Sequence, residues 1–73
     1  MSDTKWHSGT APTREEVLTE IARELAMRRS VFPRWVEAGK LKQAEANKRI
    51  DRLQAGYDFI MERWPREQQA LGL

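Results

Sequence analysis

The sequence predicts an all-α fold, an antiparallel helical hairpin that pairs with a second copy as a dimeric helical bundle. In two segments the apolar residues recur at alternating spacings of three and four, which is the period of one helix face. No segment alternates apolar and polar residues over the length of a strand. A core built by 73 residues seldom supplies more than about 3–5 kcal/mol of net stability. Pairing with a second copy would cover the apolar surface that one hairpin leaves exposed.

The chain divides into three segments. Residues 1–12 have no apolar period and contain Ser, Thr, Gly and Pro, so we expect a flexible lead-in. Residues 13–64 form the helical hairpin domain, and residues 65–73 form a C-terminal tail. Thr13 marks the start of the first helix, because its hydroxyl can accept a hydrogen bond from the amide of Glu16, whose carboxylate can reach back to the Thr13 amide.

The first helix carries one apolar stripe, which Pro33 interrupts. Proline lacks the amide that would bond to the carbonyl of Arg29, so we expect a bend or a break there. Ser30 is placed to cap a short middle helix over residues 31–38, and Gly39 supplies the left-handed conformation that commonly ends a helix. The stripe consists of Leu18, Ile21, Leu25, Arg28, Phe32 and Trp35.

A second long helix is predicted over about residues 42 to 63, where Pro65 stops it. A short connection between two helices folds them into an antiparallel pair, so the two stripes face each other. The second stripe consists of Ala46, Ile50, Leu53, Tyr57, Ile60 and Trp64. Apart from Arg28 and Ala46, the residues of both stripes are predicted to form the core or the self-association surface.

The residue types exclude several classes of function. The chain has no cysteine for a disulfide, a thiolate site or a nucleophile, and the single histidine, His7, cannot build a multi-histidine metal site. The serines lack a positioned base, and no phosphate-binding, zinc-protease or calcium-loop motif is present. No apolar run approaches the roughly 20 residues of a membrane span. We therefore expect no enzyme, no cofactor and no membrane association, and a cytoplasmic setting.

Positive charge is concentrated in the middle of the chain. Residues 23–52 carry a net charge of +5, whereas residues 1–22 carry −2 and residues 53–73 carry −1. A basic centre of this size can attract phosphate or an acidic protein surface, although it is less dense than a nucleic-acid-binding tail. The simpler interpretation is a solvated helix surface with intervening acids.

The basic side chains allow two interpretations. In the first, Arg28 meets a carboxylate of the second helix at its core position, and Asp51 and Asp58 are the candidates. In the second, cations beside Phe32 and Trp35 bind phosphates and stack on bases, as in proteins that bind single-stranded nucleic acid. This basic patch would consist of Arg28, Arg29, Arg34, Lys48, Arg49 and Arg52.

Trp6 is a separate candidate for binding. It lies in the polar lead-in and has no helix face to join. Either it docks back on the hairpin or it anchors a protein partner, since tryptophan often dominates interface energies.

The run ELAMRRSVFPRWVEAGKL from Glu24 to Leu41, with Ala46 and Ile50 further on, resembles small helical proteins encoded by phages and prophages of Gram-negative bacteria. In those proteins a segment E-L-x-M-R-x-x-V-[FY]-P-R is followed by a glycine turn and a second helix. The resemblance implies a setting, the phage-infected bacterial cytoplasm, and it transfers no catalytic residue to this chain.

These observations predict a function in binding. The first expectation is a small phage-type accessory or inhibitor protein that binds a protein of the host or the phage, because apolar and aromatic residues need cover and no catalytic group competes with this role. The alternative is an accessory protein that binds nucleic acid through the basic patch around the predicted bend.

Overall fold

The computed structural model describes residues 5–65, and two helices pack against each other in it. Helix α1 spans Arg14–Glu37 and helix α2 spans Gln43–Arg63. The described residues contain no strand, so the prediction of an all-α helical hairpin is confirmed. The first four residues of the predicted lead-in and all but Pro65 of the predicted tail lie outside the described residues.

The start of α1 follows from its local sequence. The amide of Thr13 donates to Glu16 Oε1 at 2.9 Å, and the amide of Glu16 donates to Thr13 Oγ1 at 3.1 Å. These reciprocal bonds satisfy two amides that no helical carbonyl can reach. Glu15 and Glu16 also place negative charge in the first turn, at the positive end of the helix dipole.

Helix α1 continues through Pro33, so the short middle helix predicted over residues 31–38 is wrong. Ser30 lies inside α1 and does not cap a new helix. Proline removes one backbone hydrogen bond, whereas the burial of Phe32 beside it favours continuing the same helix face. Tertiary packing thus overrides the local propensity to break. The bend stays a prediction.

Helix α1 ends where Gly39 predicts. Gly39 has a φ of +77°, its amide donates to the carbonyl of Val36 at 3.0 Å, and the amide of Lys40 donates to the carbonyl of Trp35 at 2.8 Å. This pair of bonds is the Schellman motif, which needs a left-handed residue that glycine adopts at little cost. The connection to α2 is therefore only five residues long.

Helix α2 has weaker boundary signals. Lys42 precedes it without a side-chain hydrogen bond to the helix. At the other end the amide of Trp64 donates to the carbonyl of Ile60 at 3.0 Å, and Pro65 follows directly. The predicted range of about residues 42 to 63 therefore agrees with the structure to within one residue.

One seam joins the two antiparallel helices. Arg28 Nη1 donates to the carbonyl of Arg49 at 3.1 Å, and Arg14 Nη2 donates to the carbonyl of Met61 at 3.2 Å. Residues early in α1 therefore lie level with residues late in α2. The seam buries Leu18, Leu25, Phe32 and Ala46 and half-buries Ile21, Ile50, Leu53, Tyr57 and Ile60.

Trp35 and Trp64, which are predicted for the core or the self-association surface, do not belong to the core of the single chain. Trp35 is 43% exposed and Trp64 is 39% exposed. Trp35 lies in the last turn of α1, where the opposite helix has only begun, and Trp64 follows the last residue of α2. Each side chain thus lies at one end of the seam, where the other helix covers it from one direction only.

Replacing Pro33 with alanine should stabilise the protein. The change restores an amide that can bond to the carbonyl of Arg29, and we expect the free energy of unfolding to rise by up to about 3 kcal/mol in urea denaturation followed by circular dichroism. Pro12→Ala is the control, because Pro12 precedes the helix and its replacement recovers no helical bond. A Pro33→Ala protein of equal or lower stability would contradict this account of α1.

Candidate functional site

Arg14 closes the open end of the hairpin, where α1 begins and α2 ends. Its side chain is buried, with 6% of its surface exposed. Arg14 Nε donates to the carbonyl of Trp64 at 2.8 Å, and Nη2 donates to the carbonyl of Met61 at 3.2 Å. Nη1 meets Glu15 Oε2 at 3.1 Å. One guanidinium thus fixes the last turn of α2 against the first turn of α1.

Helix geometry explains why an arginine occupies this place. The last four carbonyls of a helix have no helical donor, and that end of the helix carries partial negative charge. The guanidinium of Arg14 supplies several donors and a positive charge at this point. At the first position of its own helix a cation is electrostatically unfavourable. This local conflict is the sequence signal by which Arg14 could have been singled out, and sequence reasoning missed it.

Large apolar side chains are exposed at the same open end. Phe59 is 59% exposed, and Met61 and Trp64 are also exposed. Arg63 lies over the ring of Phe59, with 5.1 Å between the guanidinium carbon and the ring centroid. Met61 and Trp64 are thus exposed next to the buried Arg14, and Phe59 is exposed on another face of the same end of α2.

The lead-in places Trp6 beside the start of α1. The amide of Gly9 donates to the carbonyl of Trp6 at 2.9 Å, and Gly9 has a φ of +87°. This turn brings Trp6 to a surface cavity that Pro12 and Glu16 also line. Trp6 remains 40% exposed, with Lys5 Nζ 4.9 Å from its ring centroid. The segment before α1 and the segment after α2 thus each carry a partly exposed tryptophan, and both tryptophans lie at the open end of the hairpin.

Arg28 pairs within its own helix. Its Nε donates to Glu24 Oε2 at 3.0 Å, and its guanidinium carbon lies 5.9 Å from the centroid of the Phe32 ring. The expectation that Asp51 or Asp58 pairs with Arg28 is wrong. Glu24 lies one helical turn before Arg28 on the same face, so it reaches the guanidinium without crossing the seam.

Asp58 has a different partner from the one expected. Gln54 Nε2 donates to Asp58 Oδ1 at 3.0 Å, and Gln54 Oε1 accepts from Arg29 Nη2 at 3.0 Å. The three side chains form a chain of hydrogen bonds on the side of the hairpin away from Glu24. Arg29 is therefore also engaged within the molecule.

Two glutamates pair with three of the six cations in the predicted basic patch. Glu45 Oε2 lies 3.2 Å from Arg49 Nε and 3.8 Å from Arg52 Nη1. Together with the pairs of Arg28 and Arg29, these contacts engage four of the six predicted cations. Within residues 5–65 only Arg34 and Lys48 of the six form neither an ion pair nor a side-chain hydrogen bond. The structure thus engages four of the six cations within the molecule and leaves Arg34 and Lys48 exposed.

Charge is nevertheless separated along the hairpin. The half nearer the turn, residues 25–52, has eight cations against three acids. The half nearer the open end, residues 5–24 and 53–65, has four cations against six acids. A cluster of Glu15, Glu16 and Glu20 lines one depression at the open end with Thr19. The molecule therefore has a basic turn end and an acidic open end.

Residues 5–65 contain neither a cluster of metal-binding side chains nor a membrane-spanning helix. No group of three or more His, Asp or Glu side chains in it is close enough to hold a metal ion. None of its helices is long and apolar enough to cross a membrane. Its buried side-chain nitrogen and oxygen atoms all have hydrogen-bond partners.

Comparison with known proteins does not identify a family for this chain. No protein-family model, curated protein or solved structure matches the chain. The resemblance to phage-encoded proteins stays a prediction. The candidate site is therefore defined by geometry alone, as the open end of the hairpin, where Arg14 is buried and large apolar side chains are exposed.

Replacing Arg14 with alanine should destabilise the hairpin. The last carbonyls of α2 would lose a buried charged donor, and we expect the free energy of unfolding to fall by about 1.5–3 kcal/mol in urea denaturation. Arg23→Ala is the matched control, because Arg23 makes only an exposed pair with Glu20 at 3.5 Å and its loss should change stability by less than about 0.5 kcal/mol. Equal losses in the two variants would show that Arg14 does not hold the open end.

Proposed function

We propose that this chain is a small accessory or inhibitor protein that works by binding another protein at the open end of the hairpin. The observation that carries the proposal is the exposure of Met61 and Trp64 where Arg14 binds their carbonyls, with Phe59 exposed on another face of the same end of α2 and Trp6 at the same end of the molecule. Single exposed apolar residues are ordinary, but several together mark interaction surfaces. Tryptophan is also the residue most enriched among those that dominate binding energy.

Arg14 makes this end suitable for binding. It holds the backbone carbonyls of Met61 and Trp64, so these two side chains project from a fixed backbone. Ordering a flexible segment on binding costs free energy, and a surface that is already ordered avoids this cost. The open end therefore combines apolar area with a preorganised backbone.

Charge around the open end defines the partner further. Glu15, Glu16 and Glu20 line one depression there. A surface of this kind complements an apolar groove bordered by lysine and arginine side chains. The resemblance to phage-encoded proteins supports a partner from the phage or its bacterial host, in the cytoplasm of the infected cell. Occluding or remodelling that partner requires no catalytic group.

The second candidate function is nucleic-acid binding at the turn end. Its supporting observation is that Arg34 and Lys48 have no ion pair in the described chain, and that Trp35, the neighbour of Arg34 in the sequence, is exposed. Exposed cations beside an aromatic ring are the combination that binds single strands. The pairing of Arg28, Arg49 and Arg52 with glutamates weighs against it.

Capture from a lysate of the bacterial host tests the first proposal. We expect the unaltered protein to retain one defined protein, and Trp64→Ala and Trp6→Ala to retain much less of it. The Trp64 side chain can be removed without deleting the carbonyl that Arg14 binds, so the fold should persist and circular dichroism checks this. Lys48→Ala is the control, because Lys48 is exposed towards the turn end. Equal capture by the tryptophan variants, or recovery of nucleic acid alone, would overturn the proposal.

A mobility-shift assay tests the alternative. With protein binding as the function, we expect no shift of single-stranded or duplex DNA or RNA at low salt, where electrostatic binding is strongest. Nucleic-acid binding would instead give a shift that weakens with a log–log salt slope near −0.9 per phosphate on duplex DNA or about −0.7 on single strands. Changing both Arg34 and Lys48 to Gln should then remove the shift, whereas changing Arg28, Arg29, Arg49 and Arg52 to Gln together should reduce it less.

A further inference from the structure

Helix α1 has a second stripe beside the one that faces α2. Its members follow at spacings of three and four, and its apolar members are Val17, Met27 and Val31. Met27 is 44% exposed, and Val17 and Val31 are half-buried. We call this surface the outer stripe. It consists of Val17, Glu20, Glu24, Met27, Val31 and Arg34, with Trp35 at its edge.

The outer stripe is acidic in its first half and basic at its end. Glu20 makes only a highly exposed pair with Arg23, at 3.5 Å, and Glu24 is bonded to Arg28. Arg34 has no ion pair within residues 5–65. An exposed pair such as that of Glu20 contributes little, so Glu20 is available for another partner. Reversed in direction, the stripe would therefore complement itself in charge.

The stripe is also self-complementary in shape. At its beginning Pro12, Val17 and Ile21 line a groove, together with Glu16 and Glu20. At its end the exposed ring of Trp35 projects beside Phe32, with 5.6 Å between the ring centroids. The same helix face thus carries both a groove and an aromatic side chain that can fill one.

We propose that a second copy of this chain packs antiparallel on the outer stripe, with a two-fold axis beside Met27. With a rise of 1.5 Å per residue, Glu20 and Arg34 each lie about 10 Å from that axis, on opposite sides. In this arrangement Glu20 faces Arg34 of the partner subunit, and the contact occurs twice. Trp35 lies about 12 Å from the axis, level with the groove between Val17 and Ile21 of the partner subunit.

Two-fold symmetry makes the two halves of the interface identical, so the groove of each copy receives Trp35 of the other copy. The contact involves α1 alone. Arg28 reaches the carbonyl of Arg49, which places Arg49 and Arg52 of α2 on the same side of the hairpin as the stripe. Pairing α2 with its own copy would bring these like charges together, and such contacts are unfavourable.

A charge exchange on the purified chain tests this dimer. Sedimentation over a range of concentrations should show a monomer–dimer equilibrium for the unaltered protein. Glu20→Lys and Arg34→Glu should each weaken dimerisation by about tenfold or more, because each places like charges opposite each other twice. The variant with both changes should recover the dimer. Asp51→Lys is the control with the same change of charge, since Asp51 is exposed on α2 and outside the stripe.

A cysteine introduced at the axis tests the register. The natural chain has no cysteine, so Met27→Cys provides one thiol per copy, and mild oxidation should link two copies through that position. Asn47→Cys, on exposed α2, should link far more slowly. A monomer at every concentration would overturn the proposal. Two other results would also overturn it: a dimerisation affinity that neither charge reversal changes, or equally fast disulfide linking by the two cysteine variants.

The results of these dimerisation experiments do not depend on whether the open end binds another protein. The measurements use the purified chain alone, so a failure to dimerise leaves capture through Trp6 and Trp64 untouched. Conversely, a dimer confirmed by the charge exchange would persist when no lysate protein is captured. The two proposals therefore fail separately.

Discussion

The contact between Arg14 and the last turn of α2 is the constraint on which the rest of the hairpin depends. Gly39 closes the other end by a short connection, so the two helices are held at both ends of one seam. A buried guanidinium must be hydrogen-bonded, and the free carbonyls of a helix end must be satisfied. The same bonds meet both requirements. Because the register is fixed in this way, the apolar stripes of α1 and α2 face each other except at their ends, where Trp35 and Trp64 lie.

The seam is narrow, and this explains where the remaining apolar residues lie. Two helices can cover one face of each other, so Leu25 and Phe32 are buried while Met27, on a different face of α1, is exposed. Side chains beyond the ends of the seam are exposed for a second reason, since the opposite helix has ended there. Trp35 and Trp64 belong to this group. The surfaces proposed for binding are therefore direct products of building a fold from one helix pair.

Local signals determine what could be predicted from the sequence. The capping pair of Thr13 and Glu16, the left-handed turn at Gly39 and the stop at Pro65 involve neighbours along the chain, and the helix boundaries follow from them. Pro33 shows the limit of such signals, because packing on the other helix decides whether a helix continues. The partners of Arg14 and Arg28 could not be chosen from the sequence either. An arginine reaches several acceptors, and only the register between the helices selects among them.

The separation of charge along the hairpin has a consequence for how fast it meets its partners. A basic half and an acidic half give the molecule a permanent dipole moment along its long axis. In the electric field of a charged surface such a molecule is turned before contact, so that a larger fraction of collisions begins in a productive orientation. Ions shorten the range of this effect to about 8–10 Å at physiological salt. Raising the salt concentration would thus slow association at the acidic end while leaving the lifetime of an apolar complex nearly constant.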